Sequence, residues 1–200
     1  MSKKQGERVS KREERRLQLE RERRLKKLRL WGPVGMIILA LIALLLVRIL
    51  EPDVEGVTIV TAAAANQHDN AFRYEKSPLP PTGGIHATSW LNCGIYDIEV
   101  PAENAVHSME HGAVWVTYDP EQVTASDIAL LKDAVRGQGY TILSPYSEQA
   151  SPVVLTTWDI QLQVESVSDG RINDFIRQYR GTRGPEAGAS CSGGVGTPSG

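Results

Sequence analysis

The residues with the most capacity for chemistry lie in one run, Glu103-Asn104-Ala105-Val106-His107-Ser108-Met109-Glu110-His111-Gly112. Two imidazoles four positions apart, with a carboxylate between them and another four positions before the first, are donors suited to a borderline divalent metal. The backbone decides which of them meet. On a helix, residues three and four apart share a face, so Glu103, His107, Glu110 and His111 converge while Met109 points away. On a strand, alternation aligns His107, Met109 and His111 instead, and the thioether suits copper better than zinc. Composition favours the helix: Ala, Met and Glu are helix formers, Asn104 fits an N-cap, and Gly112 fits the position just past the C-terminus. The remaining histidines, His68 and His86, stand upstream, so all four fall between positions 68 and 111. The metal reading takes His107 and His111 as a pair, with His86, His68 or Glu103 completing a site for a transition metal, zinc or copper.

The same residues support two other readings. His107 to His111 matches H-x-x-E-H, in which both histidines hold zinc and the glutamate, here Glu110, activates water. That pattern belongs on a long helix, whereas this one must stop at Gly112, and no downstream third ligand stands out. With no Gly-rich phosphate loop and no G-x-S-x-G elbow, the chain leans away from an enzyme. The third reading has no metal: the histidines and acids form a hydrogen-bonded core in a protein-interaction domain.

The elements that must position these residues follow in regular order. Val114-Trp115-Val116-Thr117-Tyr118, closed by Asp119-Pro120, is a β-type run. Thr124 or Ser126 caps a helix through Val135, ending near Gly137. Tyr140 to Leu143 reads as a strand broken by Ser144-Pro145. Val153 to Trp158 reads as another, and Ile160 to Val164 alternates as a strand with one wet face. Phe175, Ile176 and Tyr179 have the spacing of a helix packed on a core. Upstream, Val57-Thr58-Ile59-Val60 reads as a strand. Ser77 to Gly84, with three prolines and two glycines, predicts an extended loop that delivers Ile85-His86 and then Trp90 to Gly94. The expected fold class is α+β, a small mixed sheet covered mainly on one side by two or three helices. Gly181 to Gly200 is Gly/Ser/Pro-rich, and only Cys191 gives it a reason to be ordered.

Charge divides the chain. Residues 1–29 hold thirteen Lys/Arg against five Asp/Glu, a balance of +8, and residues 51–200 hold eight against nineteen, a balance of −11. Between them, Leu30 to Val47 is uncharged for eighteen residues, bracketed by Arg29 and Arg48, with Trp31 at an interfacial position. This predicts a single transmembrane helix, and the positive-inside rule puts the N-terminus in the cytoplasm. The small-residue run Ala62 to Ala65 lies too far beyond the apolar stretch for a signal-peptide cleavage site, so the anchor is expected to be uncleaved. The basic segment lacks interleaved aromatics or a recognisable module, so its partner is the lipid bilayer rather than nucleic acid. Cys93 and Cys191, 98 positions apart, form no local C-x-x-C motif, and in the oxidising space outside the membrane they are expected to pair. The expected organisation is a basic tail (1–29), a span (30–50), a linker (51–56), an extracytoplasmic domain (57–194) and a flexible tail (195–200).

Four stretches together carry a resemblance: Pro80-Pro81-Thr82-Gly83-Gly84-Ile85-His86, Cys93-Gly94-Ile95-Tyr96, the block from Glu103 to Tyr118, and Cys191-Ser192-Gly193-Gly194. The chain resembles, over roughly Val54 to Gly194, the bacterial family catalogued as domain of unknown function 3105. Its members share a basic N-terminus, one membrane span and one such domain. Gly83-Gly84-Ile85-His86 departs from that family's Ser-Gly-Pro-His but keeps His86. The resemblance implies fold and topology at the bacterial cell membrane and assigns no activity; besides the bilayer, a membrane or extracytoplasmic protein is the partner expected of such a domain.

Overall fold

The computed structural model describes residues 2–49, 53–61 and 65–199. Residues Glu51 and Pro52 of the expected linker and Ala62 to Ala64 of the small-residue run lie outside the described residues. The chain divides into two compact units, Met1–Pro52 and Asp53–Gly200.

The first unit is one helix, α1 (Ser2–Ile49), which contains the uncharged stretch and Pro33. Among the described residues, Leu19–Leu44 is long and apolar enough to cross a membrane, with mean hydropathy 1.7 and no protein cover; a signal sequence satisfies the same criterion. Among its described side chains, Leu30, Trp31, Met36 and Leu39 are exposed.

The second unit is α+β. Its elements run β1 (Thr58–Ile59), β2 (Gly94–Ile95), α2 (Ala102–Glu110), β3 (Val114–Tyr118), α3 (Ala125–Val135), β4 (Thr141–Pro145), β5 (Val153–Thr157), β6 (Ile160–Val164) and α4 (Arg171–Tyr179). They build one mixed six-stranded sheet in the order β1-β6-β5-β3-β4-β2. β4 runs parallel to both β3 and β2, while β5 lies antiparallel to β3 and β6, and β6 to β1.

Helices cover both faces of the sheet, not mainly one. Val114, Val116, Tyr118, Leu143 and Leu155 face α3 and α4, whose Leu131, Val135, Ile172, Phe175, Ile176 and Tyr179 complete that core. Trp115 and Ile142 face the other way, under Ala105, Val106 and Met109 of α2 and under Leu91, Tyr96 and Trp158. β3 is therefore buried at every position, which is why its sequence reads as a near-continuous apolar run. The second cover escapes a periodicity search because loop residues supply half of it.

Local chemistry explains the element ends. Thr124 caps α3 in a capping box with Asp127, as its sequence predicts. β4 continues through Ser144-Pro145 instead of breaking there. Tyr146 N–H still donates to Tyr118 O at 2.8 Å, and Pro145 meets the side where β2, only two residues long, has already ended. The expected wet face of β6 is half dry: Gln161 is buried, its amide donating to Pro80 O at 3.0 Å and to Thr156 Oγ1 at 3.1 Å, while Gln163 is exposed.

Candidate metal site

α2 settles the conformation of the histidine run. It is helical, Met109 is fully buried in the apolar core, and His107, Glu110 and His111 share the opposite aspect. The helix begins at Ala102 after Pro101, whose φ of −60° suits a helix start, so Asn104 lies in the first turn and is not the N-cap. Its amide donates instead to Ser89 O at 2.6 Å, drawing the upstream loop onto the helix. Ser108 adds a second stitch, its hydroxyl donating to Leu91 O at 2.7 Å and accepting from Leu91 N–H at 2.9 Å. α2 stops as its sequence predicts: Gly112 takes φ 103°, and its N–H returns to Met109 O at 2.9 Å.

The two upstream histidines arrive by backbone pairing. His68 and His86 form an isolated parallel bridge, with His86 N–H donating to Gln67 O at 3.0 Å and Asp69 N–H to His86 O at 2.8 Å. Their rings meet edge to face at 4.6 Å between centroids, and His107 stands 4.9 Å from His68 and 5.0 Å from His86. The donor atoms of His68, His86, His107 and Glu110 all lie within 4.8 Å of one another. His86 Nε2 is 2.9 Å from Glu110 Oε2, and His68 Nε2 is 3.5 Å from the same oxygen. His86 and Glu110 are fully buried, whereas the His68 side chain is 32% exposed and forms a mouth.

Backbone carbonyls orient the rings. His86 Nδ1 donates to Gly84 O at 2.7 Å, His107 Nδ1 to Ala87 O at 2.7 Å, and His111 Nδ1 to Ser190 O at 2.6 Å. A carbonyl only accepts, so each neutral ring carries its proton on Nδ1 and presents a lone pair at Nε2. This is the tautomer and the outer support that imidazole ligands of metals ordinarily have. Burial above all holds His107 below its ordinary pKa; the bond to Ala87 opposes this, and the neighbouring rings of His111, His86 and His68 add to it.

Of the residues proposed from sequence, His68, His86 and His107 converge in one group. His111 adjoins it through His107, with Nε2 to Nε2 at 3.1 Å. Glu103 is engaged elsewhere: its Oε1 accepts from Tyr74 N–H at 2.8 Å, and burial, with the Glu103 charge adding to it, pushes the Tyr74 phenol up to about 12. The carboxylate in the group is Glu110, which helical spacing places on the shared face along with Glu103. Glu110 Oε1 accepts from Asn66 N–H at 2.9 Å, Oε2 faces the Nε2 atoms of His86 and His68, and the side chain is fully buried. That arrangement lends no support to Glu110 as a water-activating base.

The C-terminal segment closes the site from the far side. Glu186 N–H donates to Glu110 O and Gly188 N–H to His111 O, both at 3.0 Å, and Gly181 N–H donates to Gly112 O at 2.7 Å. Gly184, with φ 108°, lies so close that a Cβ there would collide with the carbonyls of Met109 and Glu110. Cys93 and Cys191 form a disulfide, Cα to Cα 5.4 Å, which ties this segment to the loop ahead of β2.

No curated protein and no solved structure matches the chain. A family model described as "Protein of unknown function (DUF3105)" matches residues 66–193, a stretch that contains every residue of the cluster and both cysteines. Since that match covers well over half of the 200 residues, the chain belongs to the DUF3105 family.

Proposed function

We propose that this protein is a single-pass membrane protein whose extracytoplasmic domain binds one divalent transition metal, zinc or copper, through His68, His86, His107 and Glu110. The observation that carries the metal reading is the convergence of these four donors within 4.8 Å, with the rings of His86 and His107 held at Nδ1 by carbonyls. Three imidazoles and a carboxylate are a donor set that both ions accept. Charge supports the topology: the basic segment before the apolar stretch favours a cytoplasmic N-terminus, and the disulfide favours an oxidising compartment for the domain.

The test is metal analysis of the full chain, purified in detergent and equilibrated with Zn2+ or Cu2+. About one equivalent is expected, falling below about a tenth in His86→Ala and Glu110→Gln and unchanged in Met109→Leu. Less than about a tenth of an equivalent in the wild type overturns the metal reading. The 2.9 Å pair of His86 with Glu110 favours a second reading, a buried hydrogen-bonded core that needs no ion; this predicts lost stability in His86→Ala with no metal to lose. For topology, protease added outside intact cells digests the domain and spares the basic segment; the opposite pattern overturns the orientation.

A further inference from the structure

We propose that His111 and Glu186 form an outer landing position through which the metal ion reaches the buried site, with His107 shared between the two. The proposal rests on the metal reading above and specifies its route of loading. His107 and His111 both spend their Nδ1–H on carbonyls, Ala87 O and Ser190 O, so two Nε2 lone pairs face each other across 3.1 Å. Lone pairs at that distance repel unless something positive lies between them. An ion at the usual ~2.0–2.1 Å from both nitrogens closes the triangle at roughly 100°, an angle that first-row divalent ions accept. Glu186 supplies the anionic third donor, its Oε2 standing 3.5 Å from His111 Nε2.

Exposure sets the direction. The Glu186 side chain is 47% exposed and His111 is 5% exposed, so the carboxylate meets solvent first and the imidazole stands behind it. The bonds of Glu186 N–H to Glu110 O and Gly188 N–H to His111 O anchor the carboxylate's segment to the same helix end that carries the site.

The shared ligand makes the two positions exclusive. His107 has one free lone pair, so it serves one ion at a time, and the chain holds one ion, not two. An ion on His107, His111 and Glu186 reaches His68, His86 and Glu110, all within 4.8 Å of the His107 donor, without leaving His107. Each donor it loses is replaced, and the ion is never bare. The inner position offers three imidazoles and a carboxylate against two and one outside, so the ion rests inside.

Stopped-flow mixing of the full-length protein in detergent with Cu2+ alone tests the route. The Trp90 ring lies 5.0 Å from His111 and 5.8 Å from His107, so its quenching reports arrival. Glu186→Gln and His111→Ala are expected to slow loading by about tenfold or more, and to slow release to a chelator by the same factor. The dissociation constant then stays within about threefold and the stoichiometry stays at one. Glu186 is exposed, so its variant separates the route from any folding defect in the histidine variant. Unchanged loading in both variants overturns the proposal and leaves His68 as the mouth. Equilibrium affinity down by about tenfold in His111→Ala at an unchanged loading rate overturns it too, by making His111 a resting ligand. Two ions per wild-type chain does the same. A wild type that binds no ion overturns the metal reading itself, and the route with it.

Discussion

On the α3–α4 side of the sheet, Val114, Val116 and Tyr118 meet Leu131, Val135, Phe175 and Ile176; on the α2 side, Trp115 lies under a helix that also carries His107 and Glu110. The first side is held by apolar contact, which tolerates exchange of one hydrocarbon for another of similar volume. The second has an apolar core of its own around Trp115 and Met109 and adds directional bonds: Asn104 and Ser108 to the 89–91 loop, three rings to three carbonyls, and Glu110 to Asn66. Each of those buried groups costs free energy if its partner goes, so that side tolerates few alternatives. Both faces keep the sheet folded, and the α2 face also holds imidazoles in a fixed orientation.

The largest test of that contrast is the disulfide, which lies on the histidine side. Closing a loop of about a hundred residues stabilises by roughly 4–5 kcal/mol in the chain-entropy model, so Cys93→Ser with Cys191→Ser is expected to lose that much in denaturant titration and to weaken metal retention. A loss under about 1 kcal/mol means that hydrogen bonds alone hold the C-terminal segment. Next in size is Phe175→Ala on the apolar side, expected to lose about 3–5 kcal/mol while metal content stays unchanged. Metal lost together with stability at Phe175 breaks the division between the two faces.

The smallest effect is that of pH on the metal-free protein. His107 is held below its ordinary pKa in the folded state, so the unfolded chain takes up the proton first. Stability from this group is present above ~6.5, the unfolded value, and is lost as pH falls from there through the folded value. Denaturant midpoints at about pH 8 and about pH 5 are expected to differ less in His107→Gln than in the wild type. An equal difference assigns the acid sensitivity to other groups.

The apolar side was legible in the sequence because its signals are periodic. β5 is a β-branched run, and Ile172, Phe175, Ile176 and Tyr179 recur at helical spacing along α4. α2 was legible from its formers and from Gly112. What the sequence reading misses is the carboxylate: it takes Glu103 to complete the site, although Glu110 sits on the same helical face. Tyr74 N–H and His86 decide between the two, and both come from loops with no period to read. The bridge of His68 with His86 is hidden for the same reason, because single-residue pairing leaves no strand pattern. Gln161 reads as solvent-facing until the Pro80 carbonyl is found above it.

The C-terminal strap also fixes the order in which the molecule is made. α2 ends with the carbonyls of Glu110 and His111 capped by residues 186 and 188, and His111 takes its orientation from Ser190, 79 positions downstream. A ribosome delivers these elements from the N-terminus, so the sheet's own strands are complete by Val164 while the last turn of α2 still lacks its partners. The capped end of α2, with the orientation of His111, is therefore a late product of synthesis, assembled by contacts of high sequence separation after most of the domain has been delivered. A chain truncated just after α4 retains every residue of the four-donor cluster but not the carbonyl that orients His111 or the amides that cap its helix.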